Sequence, residues 1–230
     1  MDRQDRTDIP SPHEGKRTDF FDVGHTITRH ATGWNFARFG IKRKLISRRA
    51  LVVIPFFFLQ YRFGNFNEQV FHNRLDVFNG LREKDLEDVA QESFEKRLRK
   101  DINTDAHEFI RQLKEQGRTV VLATSSLHII VKPLADYLGI DVVIATRLEY
   151  KDGVCTGRFL SPPVFGKEKM NRVLSYIRET GSDVSLCSFY SDSYHDIPLL
   201  EVVANPVAVN PDYRLKCEAA KRGWKIWMIS

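Results

Sequence analysis

Short apolar runs and helical stripes alternate along most of this chain. The first run, Asp19-Phe20-Phe21-Asp22-Val23, is aromatic and breaks into Gly24-His25-Thr26, which predicts a buried strand that stops at a carboxylate and opens into a loop. Residues 104–116 set Ala106, Phe109, Ile110 and Leu113 on one face and meet Gly117 as a stop, the pattern of a helix. A strand at 119–123, a helix at 129–138 closed by Gly139 and a strand at 142–145 follow. The runs 148–151 and 154–159 flank Asp152-Gly153, a hairpin signal expected at a sheet edge or a dimer contact. A helix at 167–179, a strand at 184–190, a helix at 197–203, a strand at 206–209, a helix at 211–222 and a strand at 224–229 complete the series. This alternation predicts an α/β fold, a doubly wound, mainly parallel sheet with helices on both faces.

Residues 31–103 interrupt the rhythm and read as a mostly helical insert, ending in an amphipathic helix over 81–100. Between Asp22 and Glu68 there is no acidic residue, yet Arg29, Arg38, Lys42, Arg43, Lys44, Arg48, Arg49 and Arg62 are basic. Within this cationic stretch lies the apolar, phenylalanine-rich run 51–59. At about 20 residues per bilayer crossing it is too short to span a membrane, but basic flanks around an apolar core suit peripheral contact with an acidic lipid surface through residues 42–63.

Composition sharpens this picture only in part. A 230-residue chain with 42% hydrophobic residues supports one large domain with an insert, and excludes a disordered or fibrous protein. Thirty-five Lys and Arg against 30 Asp and Glu give a net charge of +5, a mild preference for anionic partners such as phosphate esters or acidic lipid. No recognition motif accompanies the basic stretch, so no nucleic acid is expected. Cys155, Cys187 and Cys217 form no C-x-x-C pair. Residues 1–16 are polar and lack a signal-peptide core, reading as a flexible tail. Both points favour a cytoplasmic location, with peripheral contact at the inner membrane surface as an added expectation. Trp34, Trp224 and Trp227 read as packing residues, and the sequence sets no oligomeric state.

Open parallel sheets bind ligands at the carboxyl ends of their strands. There the chain places Asp22, then Thr124-Ser125-Ser126, then Ser191-Asp192-Ser193 with Asp196 four residues beyond Asp192, and Lys169 lies on the helix preceding that last strand. Carboxylates, a hydroxyl and an ammonium are the parts of a phosphoryl-transfer site: a nucleophile, holders for a hard cation, and positive charge against the phosphoryl oxygens.

The segments Phe20-Phe21-Asp22-Val23-Gly24-His25-Thr26-Ile27-Thr28, Val121-Leu122-Ala123-Thr124-Ser125-Ser126, Gly166-Lys167-Glu168-Lys169 and Tyr190-Ser191-Asp192-Ser193-Tyr194-His195-Asp196-Ile197-Pro198-Leu199-Leu200 resemble, in order, the four motifs of the haloacid dehalogenase superfamily, nearest its phosphoserine-phosphatase-like branch. The resemblance implies a Rossmann-like core over 17–30 and 104–230, with residues 31–103 as a helical cap. It implies a magnesium-dependent phosphatase in which Asp22 attacks phosphorus to give an aspartyl-phosphate. Thr124 and Lys169 act with it, and Thr26, Thr124, Ser125 and Lys169 bind the phosphoryl group. Asp22, the carbonyl of Gly24, Asp192 and Asp196 form the magnesium site, while Ser125 and Ser126 are also expected beside the following helix as capping neighbours.

The departure from the family pattern is Gly24, where family phosphatases carry the aspartate that protonates the leaving oxygen and later activates water. Loss of such a group typically costs about 10²–10⁴-fold. His25 is one alternative proton donor. A phosphonate-cleaving chemistry is another route, with Lys42, Lys44, Lys84, Lys96 or Lys100 as its amine. A non-catalytic phosphate-ester-binding or membrane-surface protein is a third. The basic and phenylalanine-rich cap is similar to caps of members acting on lipid phosphates, so a lipid or other small phosphate ester is the expected substrate.

Overall fold

The computed structural model describes residues 17–47 and 75–229; the expected tail at 1–16 and the apolar part of the 42–63 segment lie outside these. Six parallel strands form the sheet in the order β3-β2-β1-β6-β7-β8. They are β1 (Thr18–Phe21), β2 (Thr119–Leu127), β3 (Val142–Thr146), β6 (Ser188–Ser191), β7 (Asn205–Val209) and β8 (Lys225–Trp227). β1 is central, and all four of its residues are buried. Alternation along it sends Phe21 to one face of the sheet and Phe20 to the other, as a period of two requires.

The Phe21 face is covered by α3 (Thr104–Glu115) and α4 (His128–Leu138), through Ala106, Ile110, Leu113, Val131, Leu134 and Leu138. Phe21 stacks on Tyr190 with ring centroids 4.2 Å apart. The Phe20 face is covered by α5 (Lys167–Thr180), α6 (Ile197–Leu200) and α7 (Tyr213–Arg222), through Val173, Ile177, Leu199, Leu200, Leu215 and Ala219. Helix ends follow local chemistry. Asn103 accepts from the backbone N–H groups of Asp105 and Ala106, and Gly139 ends α4 at φ 62°, where a side chain would be strained.

The described part of the insert contains α1 (Thr32–Lys42) and α2 (Glu83–Ser93), the latter running into a π-helical turn, Phe94–Leu98. A third apolar cluster joins Phe36, Ile46, Phe78, Leu86, Val89 and Ala90 to Ile130 of α4. Within the π turn the same helical run faces the main core with Phe94 and Leu98. Chain entry and exit are tied together: Thr28 bridges Ile102, and Asp101 accepts from the His30 N–H at 3.0 Å.

Several expectations change. The hairpin β4 (Leu148–Lys151) and β5 (Val154–Phe159) is a separate two-stranded sheet, not an edge of the main one. Its Leu148 and Cys155 face the third cluster, and Val154 bridges Arg82, so the apolar side of the hairpin is used against the insert. The expected strand at 184–190 shortens to Ser188–Ser191, because Asp183 accepts from the Ser185 N–H at 2.8 Å and winds Val184–Leu186 into a 3-10 turn. Trp34 is not a packing residue but exposed on α1.

Candidate active site

The site forms where β1, β2 and β6 end. A cavity of about 200 Å³ is lined there by Asp22, Gly24, Thr124, Ser125, Asp192 and Asp196, together with His25, Ala31, Thr32, Ser126, Ser193, His195 and Asp212. Lys169 rises beneath it from the first turn of α5 and is 1% exposed. Its Nζ donates to Asp22 Oδ1 at 3.1 Å and to Asp196 Oδ2 at 2.8 Å. Ser191 Oγ donates to the same Asp196 oxygen at 2.6 Å, so Asp196 is held in place by two donors. The Thr124 hydroxyl lies on the same cavity wall, where it lowers the Asp22 pKa slightly, and it accepts from the Ser126 N–H at 3.3 Å.

Charge in this cluster is unbalanced. Burial raises the pKa of Asp22, with Lys169 pulling it back and Asp196 adding to the rise. Asp192 is pushed well above the usual carboxylate range by burial and then by the negative charge of Asp22 and Asp196. Three carboxylates share one ammonium, and a phosphate dianion entering such a site needs a further cation. The donor chemistry suits magnesium, which commonly takes one or two carboxylates and keeps several waters. Among the described residues no three His, Cys, Asp or Glu side chains converge into a metal cluster, so Asp22, Asp192 and Asp196 do not form the three-carboxylate set expected from sequence.

Of the residues chosen from sequence, Lys169 and Thr26 are outside the cavity lining; Lys169 reaches the site through Asp22 and Asp196, whereas Thr26 is buried and its Oγ1 has no hydrogen-bond partner. Ser125 and Ser126 do not cap α4, whose N-terminal boundary residue is Leu127, because β2 continues past Thr124 through a shift in register. Thr32 and Asp212 line the cavity without having been singled out. Asp212 carries a legible capping signal, since it accepts from the Leu215 and Tyr194 N–H groups, but only the fold shows that this loop returns beside Asp192.

Gly24 is required neither by space nor by backbone. A Cβ built there would meet only the Ala31 Cα, at 3.9 Å, an ordinary contact. His25 Nδ1 lies 3.0 Å from the Arg29 carbonyl; a carbonyl only accepts, so the ring proton of a neutral His25 is committed there. Lys42, Lys44, Lys84, Lys96 and Lys100 all lie off the cavity lining, which removes the observation a phosphonate-cleaving amine would need.

The sequence profile of the haloacid dehalogenase-like hydrolases matches residues 20–201, and the chain belongs to that family. A phosphoserine phosphatase of Mycobacterium tuberculosis is 29% identical over 217 residues, covering 90% of this chain and 69% of the relative. A protein of unknown function from Bordetella pertussis Tohama I has a TM-score of 0.82 at 27% identity, covering 93% of this chain and 98% of that one. The phospho-aspartyl intermediate analogue of a phosphoserine phosphatase has the same fold, with a TM-score of 0.66 at 21% identity over 94% of each chain.

Proposed function

We propose that the protein is a magnesium-dependent phosphomonoester hydrolase with Asp22 as its nucleophile, and that Gly24 weakens its turnover. The observation that carries this reading is the Lys169 ammonium shared between Asp22 and Asp196 at the cavity that Thr124 lines. Lys169 holds the nucleophile and offsets phosphoryl charge, while Thr124 and Ser125 supply donors for the phosphoryl oxygens. Thr26 is left out of that set because its hydroxyl lies off the cavity.

An Asp22 carboxylate oxygen bonds to phosphorus as the phosphorus–leaving-oxygen bond breaks, giving an aspartyl-phosphate and an alkoxide. Water then attacks phosphorus and returns Asp22 and inorganic phosphate. With glycine at position 24, the leaving oxygen takes its proton from water, and no side chain at that position activates the attacking water. Magnesium, held by Asp22, the Gly24 carbonyl and Asp192, would neutralise charge and polarise the phosphoryl group; Asp196 acts behind them through Lys169.

Residues 31–103 serve as the cap in this reading, and a lipid or other small phosphate ester is the substrate. Support for a lipid-facing cap comes from α1, which has no acidic residue and exposes Trp34, Arg38 and Lys42 at four-residue spacing. Among the described residues no helix is long and apolar enough to cross a membrane; in this reading the contact is peripheral, at the inner surface of a cytoplasmic protein, on the basic flanks of the 42–63 segment.

The room left at Gly24 favours a second reading, a phosphate-ester-binding or membrane-surface protein that does not turn over. Magnesium-dependent hydrolysis of an aryl phosphate separates the two, comparing the chain with Gly24→Asp and Asp22→Asn. Hydrolysis that rises with Gly24→Asp and disappears with Asp22→Asn supports the enzyme. No hydrolysis in either the chain or Gly24→Asp removes it.

A further inference from the structure

The donors assigned to the phosphoryl group sit on an irregular stretch of β2. Pairing with β3 runs Thr124 to Ala145 and then jumps to Leu127 and Thr146, so Ser125 and Ser126 bulge between ladder positions. Backbone groups in a bulge lose their ladder partners and need others when buried. The side chain of Thr146, the last residue of β3, supplies one such bond and makes a second to the loop before α5. Its hydroxyl donates to the Ser125 carbonyl at 3.0 Å and accepts from the Val164 N–H at 3.0 Å.

Both partners matter by position. Ser125 follows Thr124, and both line the cavity with Asp22. Val164 is fully buried in the loop that leads into α5, the helix carrying Lys169. One buried hydroxyl therefore connects the strand end bearing the phosphoryl donors to the loop that presents the lysine. Thr146 itself is 2% exposed and is absent from the cavity lining.

We propose that Thr146 is a positioning residue for phosphoryl transfer, fixing the separation between the Thr124-Ser125 donors and Lys169. The assignment rests on the phosphatase reading of the site. Valine at this position keeps the branched shape and removes both hydrogen bonds, serine keeps the hydroxyl and removes the methyl, and alanine removes both.

The experiment measures kcat and KM for an aryl phosphate with magnesium in Gly24→Asp as parent, alongside melting temperature. In folded protein, Thr146→Val and Thr146→Ala are expected to lower kcat by about 10²-fold with KM changed by less than about threefold, while Thr146→Ser stays within about threefold of the parent. A lowered melting temperature with parental kcat per folded site would make Thr146 merely structural and overturn the proposal. So would a serine variant as impaired as valine. If the parent shows no turnover, the phosphatase reading fails separately, and magnesium-dependent binding of inorganic phosphate to the unsubstituted chain and its Thr146 variants decides. About tenfold weaker binding in Thr146→Val, restored in Thr146→Ser, supports positioning; equal binding overturns it.

Discussion

Asp19 and Asp22 stand three residues apart around the same central strand, both buried and both with raised pKa values, and they differ in how their charge is met. Asp19, at the amino end of the sheet, is wholly buried and faces Arg118, with Nε 2.6 Å from Oδ2 and Nη2 donating to Oδ1 at 2.7 Å. Burial raises its pKa, and Arg118, Ser188 and Tyr190 pull it back. One carboxylate meets one guanidinium, and nothing is left over for a ligand. At the carboxyl end, Asp22 shares Lys169 with Asp196, and Asp192 adds a third carboxylate. That imbalance costs folded stability and makes the site fit for a cation and a phosphoryl group, so burial alone does not identify a functional carboxylate; the local charge sum does.

The comparison is tested most strongly at the carboxyl end. Gly24→Asp should raise magnesium-dependent turnover of an aryl phosphate by about 10²–10⁴-fold, because the added side chain has room beside Ala31. Asp22→Asn in that background should return the rate to that of protein-free buffer. At the amino end, Arg118→Met should leave turnover per folded site unchanged and cost about 3 kcal/mol by stranding Asp19. That figure is at the low end of its range because the Arg118 side chain is 21% exposed. Chemical denaturation would read it directly, and a loss below about 1 kcal/mol would show that the pair is no stronger than a surface contact.

A smaller effect of opposite sign is expected at Asp192. Asp192→Asn removes one of the clustered charges, so without magnesium the protein should gain about 1 kcal/mol, or a melting temperature about 2–4 °C higher. The same variant should lose most of the stabilisation that added magnesium gives the parent. If the apo variant melts lower than the parent, like-charge repulsion is not what raises the Asp192 pKa.

The carboxyl-end half of this contrast was legible in the sequence. The end of the first strand, the hydroxyls at 124–126, Lys169 and the paired carboxylates at 192 and 196 are local signals, each fixed by a strand end or a helix start. The alternation of strands and helices likewise gave the parallel core, because its helices end at residues such as Gly139 and Gly181 that take left-handed conformations. What stayed hidden depends on distant pairing. Nothing local to Leu148–Lys151 says that the hairpin turns toward the insert, or that Thr146 ends opposite a bulge. A helical stripe over 81–100 shows a buried face, but not that Leu86 and Val89 pack with the insert while Phe94 and Leu98 pack with the core. Asp19 and Arg118 are 99 residues apart, and only the pairing of β1 with β2 brings them together.

The smallest expected effect concerns pH, and the sign of the carboxylates' share follows from the charge imbalance. Asp19, Asp22 and Asp192 all have raised pKa values in the folded protein, against an unfolded aspartate near 3.9. The folded state therefore binds protons more tightly. Their contribution to stability is fully present below the unfolded value and is lost as pH rises through the folded ones. Glu108, held down to about 2 by Arg111, titrates in the opposite sense but below that window. His128, held down to about 4 by burial and by Arg147 and Lys132, opposes this within the same range, because the unfolded state takes up its proton first. In EDTA the carboxylates' share is therefore read as the difference between the parent and Asp192→Asn, with the parent gaining about 1–2 °C more than the variant, or losing that much less, as pH falls from about 7.5 to 5. With magnesium the trend should flatten or reverse, because the cation binds ionised carboxylates and its stabilisation weakens as protons compete. Asp192→Asn should reduce the slope in EDTA and remove most of the difference between the two conditions, whereas Arg118→Met should preserve that difference. A slope in EDTA untouched by Asp192→Asn would mean that the carboxylates at the cavity are not the groups that couple folding to protons.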